Sequence, residues 1–147
     1  MRAVRQNADA LQYASDRMKD DRDIVMTAVR HIGDSLEYAS AKLKDDREVV
    51  MAAVRNNGNA LQYASDKVKG DKEVVLAAVK QNGNALLHAS DSMRDRKQVV
   101  LAALRQTEDA LEYASPAWQD GRDPEIRRLT RRKHREHCAG HPDEEDC

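Results

Sequence analysis

A column of ring-bearing residues recurs at a constant interval of 25 residues in this 147-residue chain. Its members are Tyr13, Tyr38, Tyr63, His88 and Tyr113. Five rings in register could stack against a partner peptide or against the bases of a nucleic acid. They could instead pack between layers of the fold with their polar ends toward solvent. We favour the packed arrangement and keep the column as a candidate partner-binding site.

A second column, two positions further on in each copy, consists of serines. They are Ser15, Ser40, Ser65, Ser90 and Ser115. No His or Asp stands at a spacing that suggests an activated nucleophile, and five copies of a catalytic serine would be unusual. We therefore interpret the serines as caps for the turn that follows each of them. The sequence predicts no enzymatic activity, no cofactor and no small-molecule substrate.

The C-terminal segment is rich in basic residues and contains no acidic residue between positions 127 and 135. The basic residues are Arg127, Arg128, Arg131, Arg132, Lys133 and Arg135. Such a density of positive charge could bind the phosphate backbone of RNA or DNA. A solvated helix face, partly neutralised by the acidic residues at 143–146, is the favoured interpretation. Nucleic-acid contact through this segment remains the alternative function.

Histidine and cysteine side chains cluster near the C-terminus and could in principle bind zinc. They are His134, His137, Cys138, His141 and Cys147. His137 and His141 have the spacing of two ligands on one helix, but Gly140 and Pro142 would interrupt that helix. Because the spacing matches no known zinc motif, we predict no metal site.

The composition limits the class of protein. The chain has 25 Lys and Arg against 26 Asp and Glu, which argues against a wholly basic nucleic-acid binder and against an acidic disordered chain. No apolar run approaches the ~20 residues of a membrane span, and the N-terminus lacks the apolar run of a signal peptide. We expect a soluble intracellular protein, with the cytoplasm as the first expectation and a nuclear or organellar assembly as the alternative.

The elements that position these residues are tandem repeats. Leucine at Leu11 and alanine at Ala14 recur at the same 25-residue interval in five copies, without insertion or deletion. In the copy at 70–81, a run of strong helix formers predicts a first helix. Acidic pairs such as Asp20 and Asp23 predict its N-terminal caps. Gly33 and its equivalents suit the left-handed conformation that ends many helices.

A second helix is predicted in each repeat. Asp34 and its equivalents precede an apolar pair, and Glu37 follows three residues later, which is the spacing of a capping box. This helix should be about two turns long and should end near the serine column. A brief turn that carries residues such as Leu43 should follow.

The pattern of apolar residues predicts that the repeats stack. The first helix at 72–80 is apolar on most sides, so neighbouring repeats must cover it, and the column of alanines that includes Ala78 would allow close helix contacts. We therefore predict an all-α fold, an α-solenoid of about five 25-residue helical repeats over residues 1–123. Residues 124–136 should form a basic C-terminal capping helix, and 137–147 an irregular tail. Because Ala3 to Asn7 match only the second half of a first helix, we expect either a longer array or a protein partner at that edge.

The repeat unit also resembles a known family. The unit at residues 71–86 resembles the helical tandem repeat named domain of unknown function 4116. The unit continues with the Tyr-Ala-Ser sequence that the preceding copy shows at 63–65. The resemblance covers residues 1 to about 123. The resemblance implies a helical array without a shared catalytic activity. Glu108 in place of the glycine, His88 in place of tyrosine and the segment after Arg122 depart from it.

Taken together, these features predict a non-catalytic protein–protein interaction or structural module, such as a scaffold or assembly subunit. A rigid array of equivalent surfaces would bind a protein partner through several repeats at once.

Overall fold

The computed structural model of the chain describes residues 8–131, in which all regular structure is helical. Each repeat contains a six-residue 3₁₀-helix, a short α-helix and a longer α-helix. The 3₁₀-helices are Ala8–Tyr13, Gly33–Tyr38, Gly58–Tyr63, Gly83–His88 and Glu108–Tyr113. The short helices are Asp16–Lys19, Ala41–Lys44, Asp66–Lys69, Asp91–Arg94 and Pro116–Gln119. The long helices are Arg22–His31, Arg47–Asn56, Lys72–Gln81, Lys97–Leu104 and the terminal helix at 124–131.

The repeats are numbered from the start of each 3₁₀-helix, so repeat 2 begins at Gly33 and repeat 5 at Glu108. Each long helix packs against the long helix of the next repeat, and each 3₁₀-helix packs against the next 3₁₀-helix. Two columns of helices therefore run side by side along the stack. The prediction of an all-α solenoid of 25-residue repeats is confirmed.

The core lies between the two columns. Leu36, Leu61 and Leu86 are fully buried on the 3₁₀-helices, and the paired valines of the long helices, such as Val74 and Val75, are fully buried opposite them. The predicted alanine column is also fully buried in the described repeats, at Ala28, Ala53, Ala78 and Ala103. These small side chains let the long helices approach one another closely.

The long helices are less enclosed than the sequence predicts. Leu76 and Ala77, which should have been covered, are half-buried, as are Met51 and Ala52 one repeat earlier. Neighbouring repeats cover two sides of each helix and the 3₁₀-column covers a third, so the outward side remains partly open. In repeat 4 the corresponding residue, Leu101, is buried.

The glycines at the ends of the long helices serve a different purpose from the predicted one. Among the described glycines, only Gly121 has a positive φ, at 68°. Gly33, Gly58 and Gly83 are buried at close approaches between repeats. A Cβ atom on Gly58 would lie 2.5 Å from the carbonyl oxygen of Ala78 in the next repeat. These positions need glycine because a neighbouring backbone occupies the space of a side chain.

The predicted caps are displaced along the sequence. The long helices are capped by Asp21, Asp46 and Asp71, one residue after the predicted positions, and Asp20 lies instead at the end of a short helix. The predicted second helix is a 3₁₀-helix that ends before the serine. The predicted turn after it is the short α-helix.

The terminal helix follows Asp123, whose carboxylate accepts hydrogen bonds from the amides of Glu125 and Ile126. Ile126 is buried and Leu129 is half-buried against the core. The remainder of the predicted capping helix at 132–136, the tail at 137–147, and the edge from Ala3 to Asn7 lie outside the described residues. No helix in the described part of the chain is long and apolar enough to cross a membrane.

Candidate functional site

The ring column lies at the C-terminal ends of the 3₁₀-helices. Tyr13 is 84% exposed, whereas Tyr38, Tyr63, His88 and Tyr113 are half-buried. The three half-buried tyrosines pack against the hydrophobic core. The structure thus brings these rings into one column and gives them a packing role. A partner-binding role for the column stays a prediction.

Two of the half-buried rings, Tyr63 and His88, have a shifted pKa. Burial, and then the negative charges of Glu37 and Asp34, raise the pKa of Tyr63. Burial, with a smaller effect of the nearby Lys69, lowers the pKa of His88. Both shifts favour the neutral form of the ring.

The serines cap the short helices, as the sequence predicts, in three of the five repeats. The Oγ atoms of Ser15, Ser40 and Ser65 accept hydrogen bonds from the backbone amides three residues on. The hydroxyl of Ser40 also donates to Asp20 in the preceding repeat at 2.6 Å, and that of Ser65 donates to Asp45 at 2.5 Å. These serines join adjacent repeats.

Main-chain hydrogen bonds also cross each junction between repeats. The backbone N–H of Ser40 donates to the carbonyl oxygen of Lys19 at 2.9 Å. The same bond recurs from Ser65, Ser90 and Ser115 to Lys44, Lys69 and Arg94. The backbone of one repeat therefore depends on the next for its hydrogen bonds.

A carboxamide connects the ends of neighbouring long helices. The Oδ1 atom of Asn56 accepts a hydrogen bond from the amide of Gly33 at 2.8 Å, and its Nδ2 atom donates to the carbonyl oxygen of Arg30. Gln81 makes the equivalent bonds to Gly58 and to the carbonyl oxygen of Asn56. Each carboxamide satisfies backbone groups that the helix end leaves without an intrahelical partner.

Arginine residues link the N-terminal ends of neighbouring long helices. Arg22 donates to Asp46 at 3.0 Å and also pairs with Glu48, and Arg47 pairs in the same way with Asp71 and Glu73. We call this arrangement the arginine clamp. Lys97 makes an equivalent pair with Asp123 and Glu125 at the terminal helix.

The clamp changes the ionisation of the capping aspartates. Partial burial raises the pKa of Asp46, but the hydrogen bonds from Arg22 and from the amide of Val49 outweigh this effect. The pKa of Asp46 therefore lies below its usual value, and Asp71 behaves in the same way.

The clamp is missing between repeats 3 and 4. Lys72 stands where the arginine of the clamp is expected, but Arg96 and Gln98 replace its two acidic partners. Lys72 forms no ion pair with any described residue. Arg96 gives its helix no side-chain cap, although its backbone angles resemble those of Asp46. Two basic residues thus occupy the positions that hold an arginine and an aspartate at the two preceding junctions.

The long helices of repeats 1 and 2 form a groove on their outward side, which the sequence reasoning missed. Between repeats 1 and 2 it occupies about 560 Å³, and its apolar lining is Met26, Met51 and Ala52. Arg30 and Arg55 lie at its edge. The signal in the sequence is the recurrence of these residue types every 25 positions, which packing and the charge preference of helix ends also explain.

The basic C-terminal segment is described only in part. Arg127 is bound through Nε and Nη2 to the carbonyl oxygen of Gly121, at 2.9 and 2.7 Å. Arg128 and Arg131 are exposed. Arg132, Lys133 and Arg135, like the His and Cys cluster, lie outside the described residues. The described residues contain no group of His, Cys, Asp and Glu that could hold a metal ion.

Comparison with known proteins agrees with the repeat architecture. Searches of curated proteins and of solved structures found no match. One family model matches at residues 1–44, 26–69, 46–94 and 71–119, and each match covers nearly two repeats. Because these overlapping matches extend over residues 1–119, most of the chain, the protein belongs to the family described as Domain of unknown function (DUF4116).

Proposed function

We propose that the chain is a non-catalytic protein–protein interaction module that acts as a scaffold or assembly subunit. The observation that supports this is the repetition of one exposed surface along the long helices. Half-buried Met26, Met51 and Leu76 recur at one position, and the basic residues that include Arg30 and Arg55 recur four positions later. A ligand that extends over several repeats would meet the same groups several times, so many weak contacts would add up to a stable complex.

The chemistry of the groove supports binding in preference to catalysis. Its charged residues are Arg30, Arg47, Glu48 and Arg55, and the carboxylate of Glu48 is paired with Arg22. General acid–base or nucleophilic catalysis needs a group that is within reach of a substrate and able to exchange a proton near neutral pH. Arginines and a paired carboxylate on an open surface do not supply one.

Affinity capture of the full-length chain from its own cells tests this proposal. The extract is divided, and one half is treated with RNase and DNase before capture. We expect a protein neighbour in stoichiometric amount in both halves, which should then bind the purified chain directly. Recovery without any protein neighbour would contradict the proposal.

A nuclease-sensitive result would favour nucleic-acid binding through the basic C-terminal segment instead. That binding should weaken steeply with salt. It should also be lost when Arg127, Arg128 and Arg131 are changed to Gln. A variant with the same loss of charge elsewhere, R17Q/K42Q/K67Q on the short helices, provides the matched control.

A further inference from the structure

The outward surface of the long helices carries basic residues that form no ion pair with a described acidic residue. Arg30, Arg55, Lys80 and Arg105 are exposed at equivalent positions, and none of them forms an ion pair with another described residue. We call these four residues the basic column. An exposed positive charge without a partner favours a negatively charged ligand.

The other charges beside the groove are already compensated. Arg47 is held by Asp71 and Glu73 in the arginine clamp, and Glu48 is paired with Arg22. The basic column is therefore the unpaired charge that recurs in every described repeat from 1 to 4 on this side of the protein. It lies one helical turn from the apolar lining at Met26, Met51 and Leu76.

The lining also indicates what the ligand carries besides charge. Methionine side chains are flexible and polarisable, and they adapt to apolar groups of different shape. A nucleic-acid backbone would leave this half-buried apolar strip without a partner. A peptide with both acidic and apolar side chains would cover both features.

The spacing of the repeats selects the conformation of such a peptide. The axes of closely packed helices lie about 8 to 10 Å apart, so we expect successive members of the basic column to be separated by about that distance. A polyproline II helix has three residues per turn and advances about 9.3 Å per turn. Every third side chain of a polyproline II peptide would therefore meet one repeat, on the same side of the peptide each time.

We infer that the outward surface of the long helices in repeats 1 to 3, which includes the groove, binds an acidic segment of a partner protein in the polyproline II conformation, with Asp or Glu at every third residue and apolar residues between. The acidic side chains pair with Arg30, Arg55 and Lys80, and apolar side chains contact Met26, Met51 and Leu76. This inference rests on the proposed function and names the class of partner.

Two synthetic peptides of equal composition test the periodic match. The first contains four copies of Glu-Pro-Leu, and the second contains the same residues with the glutamates grouped at one end. Binding to the full-length chain is measured by fluorescence anisotropy in about 50 mM salt. We expect the regular peptide to bind about 2- to 30-fold more tightly, since grouping removes about two ion pairs, each of which changes affinity by about 1.4- to 5-fold.

Variants of the protein locate the site. R30Q/R55Q/K80Q should weaken the regular peptide by about tenfold or more, whereas R17Q/K42Q/K67Q, which removes the same charge from the short helices, should leave its affinity unchanged. Met51→Gln should weaken a Glu-Pro-Leu peptide but not a Glu-Pro-Ala peptide. Circular dichroism confirms that each variant is folded.

Several results would overturn the inference. The periodic match would be wrong if the two Glu-Pro-Leu peptides bound equally well, or if neither bound below about 1 mM. A protein partner captured from cells would still support the proposed function in that case. Tighter binding of a 12-nucleotide oligothymidylate that depends on the basic column would assign the groove to nucleic acid. A tenfold gain in peptide affinity on neutralising the chain's own acidic residues at 143–146 would identify that segment as the occupant.

Discussion

Changing Arg96 to Asp should stabilise the protein, because it restores two interactions that the junction between repeats 3 and 4 lacks. The backbone of Arg96 has φ and ψ of −85° and 114°, close to the −78° and 111° of Asp46, which caps its helix. An aspartate at position 96 can therefore accept hydrogen bonds from the amides of Gln98 and Val99. It also stands at the spacing from Lys72 that Asp46 has from Arg22.

The two gains can be added. A side-chain cap contributes about 1 kcal/mol to helix stability. Replacing a repulsive pair of basic residues by an exposed ion pair contributes about 0.5 kcal/mol, since water and salt screen such charges. The expected gain in the free energy of unfolding is about 1.5 kcal/mol, which corresponds to an increase in Tm of about 3 to 6 °C for a chain of this size.

Urea unfolding followed by circular dichroism at 222 nm measures the gain, in low and high salt. Arg96→Ala removes the repulsion without adding a cap, so it should recover only a few tenths of a kcal/mol. Asp71→Arg, the reverse change one repeat earlier, should destabilise by a similar amount to the gain. If Arg96→Asp left the stability unchanged or lowered it while Asp71→Arg was harmful, the equivalence of the two junctions would be wrong.

Three further substitutions, two of them paired with a control, test the packing and the ion pairs. Gly58→Ala should lower the free energy of unfolding by about 2 kcal/mol or more, because its Cβ would clash with a neighbouring carbonyl oxygen. The control, Gly70→Ala, should be neutral or stabilising by about 0.5 kcal/mol, because its Cβ would have ordinary contacts. Thermal unfolding measures both. Leu61→Ala should cost about 3 to 5 kcal/mol in urea unfolding, and the same change at the half-exposed Leu87 should cost under about 0.5 kcal/mol. The pKa of Asp46 is lower in the folded protein than its unfolded value of 3.8. The ionised carboxylate therefore stabilises the fold fully well above pH 3.8, and this stabilisation is lost as the pH falls through the folded pKa. Asp46→Asn removes the titrating group, so it should flatten the decline of Tm below about pH 5.

The fold was predictable because its signals recur. A single leucine such as Leu61 says little about structure, but the same residue type at five positions with one interval requires equivalent environments. The alanine column gave the close contact of the long helices in the same way, and the run at 72–80 gave a helix of the correct length. Exact repetition converts weak local preferences into a prediction about the whole stack.

The local details were not predictable, since they depend on atoms of the next repeat. Gly58 has the residue type of a helix end, but the carbonyl oxygen of Ala78 is what excludes a side chain there. Two neighbouring acidic residues, Asp45 and Asp46, both suit a cap. Only the structure shows that Asp46 caps the helix while Asp45 receives the hydroxyl of Ser65. The groove was missed because helix periodicity shows which residues are apolar but not which of them a neighbour covers.

The number of polar contacts differs from one junction between repeats to another, although the apolar core is continuous. Junctions 1–2 and 2–3 each have an arginine clamp and a serine–aspartate bond. Junction 3–4 has neither, because Gly70 replaces the aspartate that Ser90 would reach and Arg96 replaces the capping aspartate. Its main-chain bond from Ser90 to Lys69 remains. Since each polar contact stabilises only the two repeats that share it, the array should separate first between repeats 3 and 4, and hydrogen exchange should be fastest for the core amides on either side of that junction.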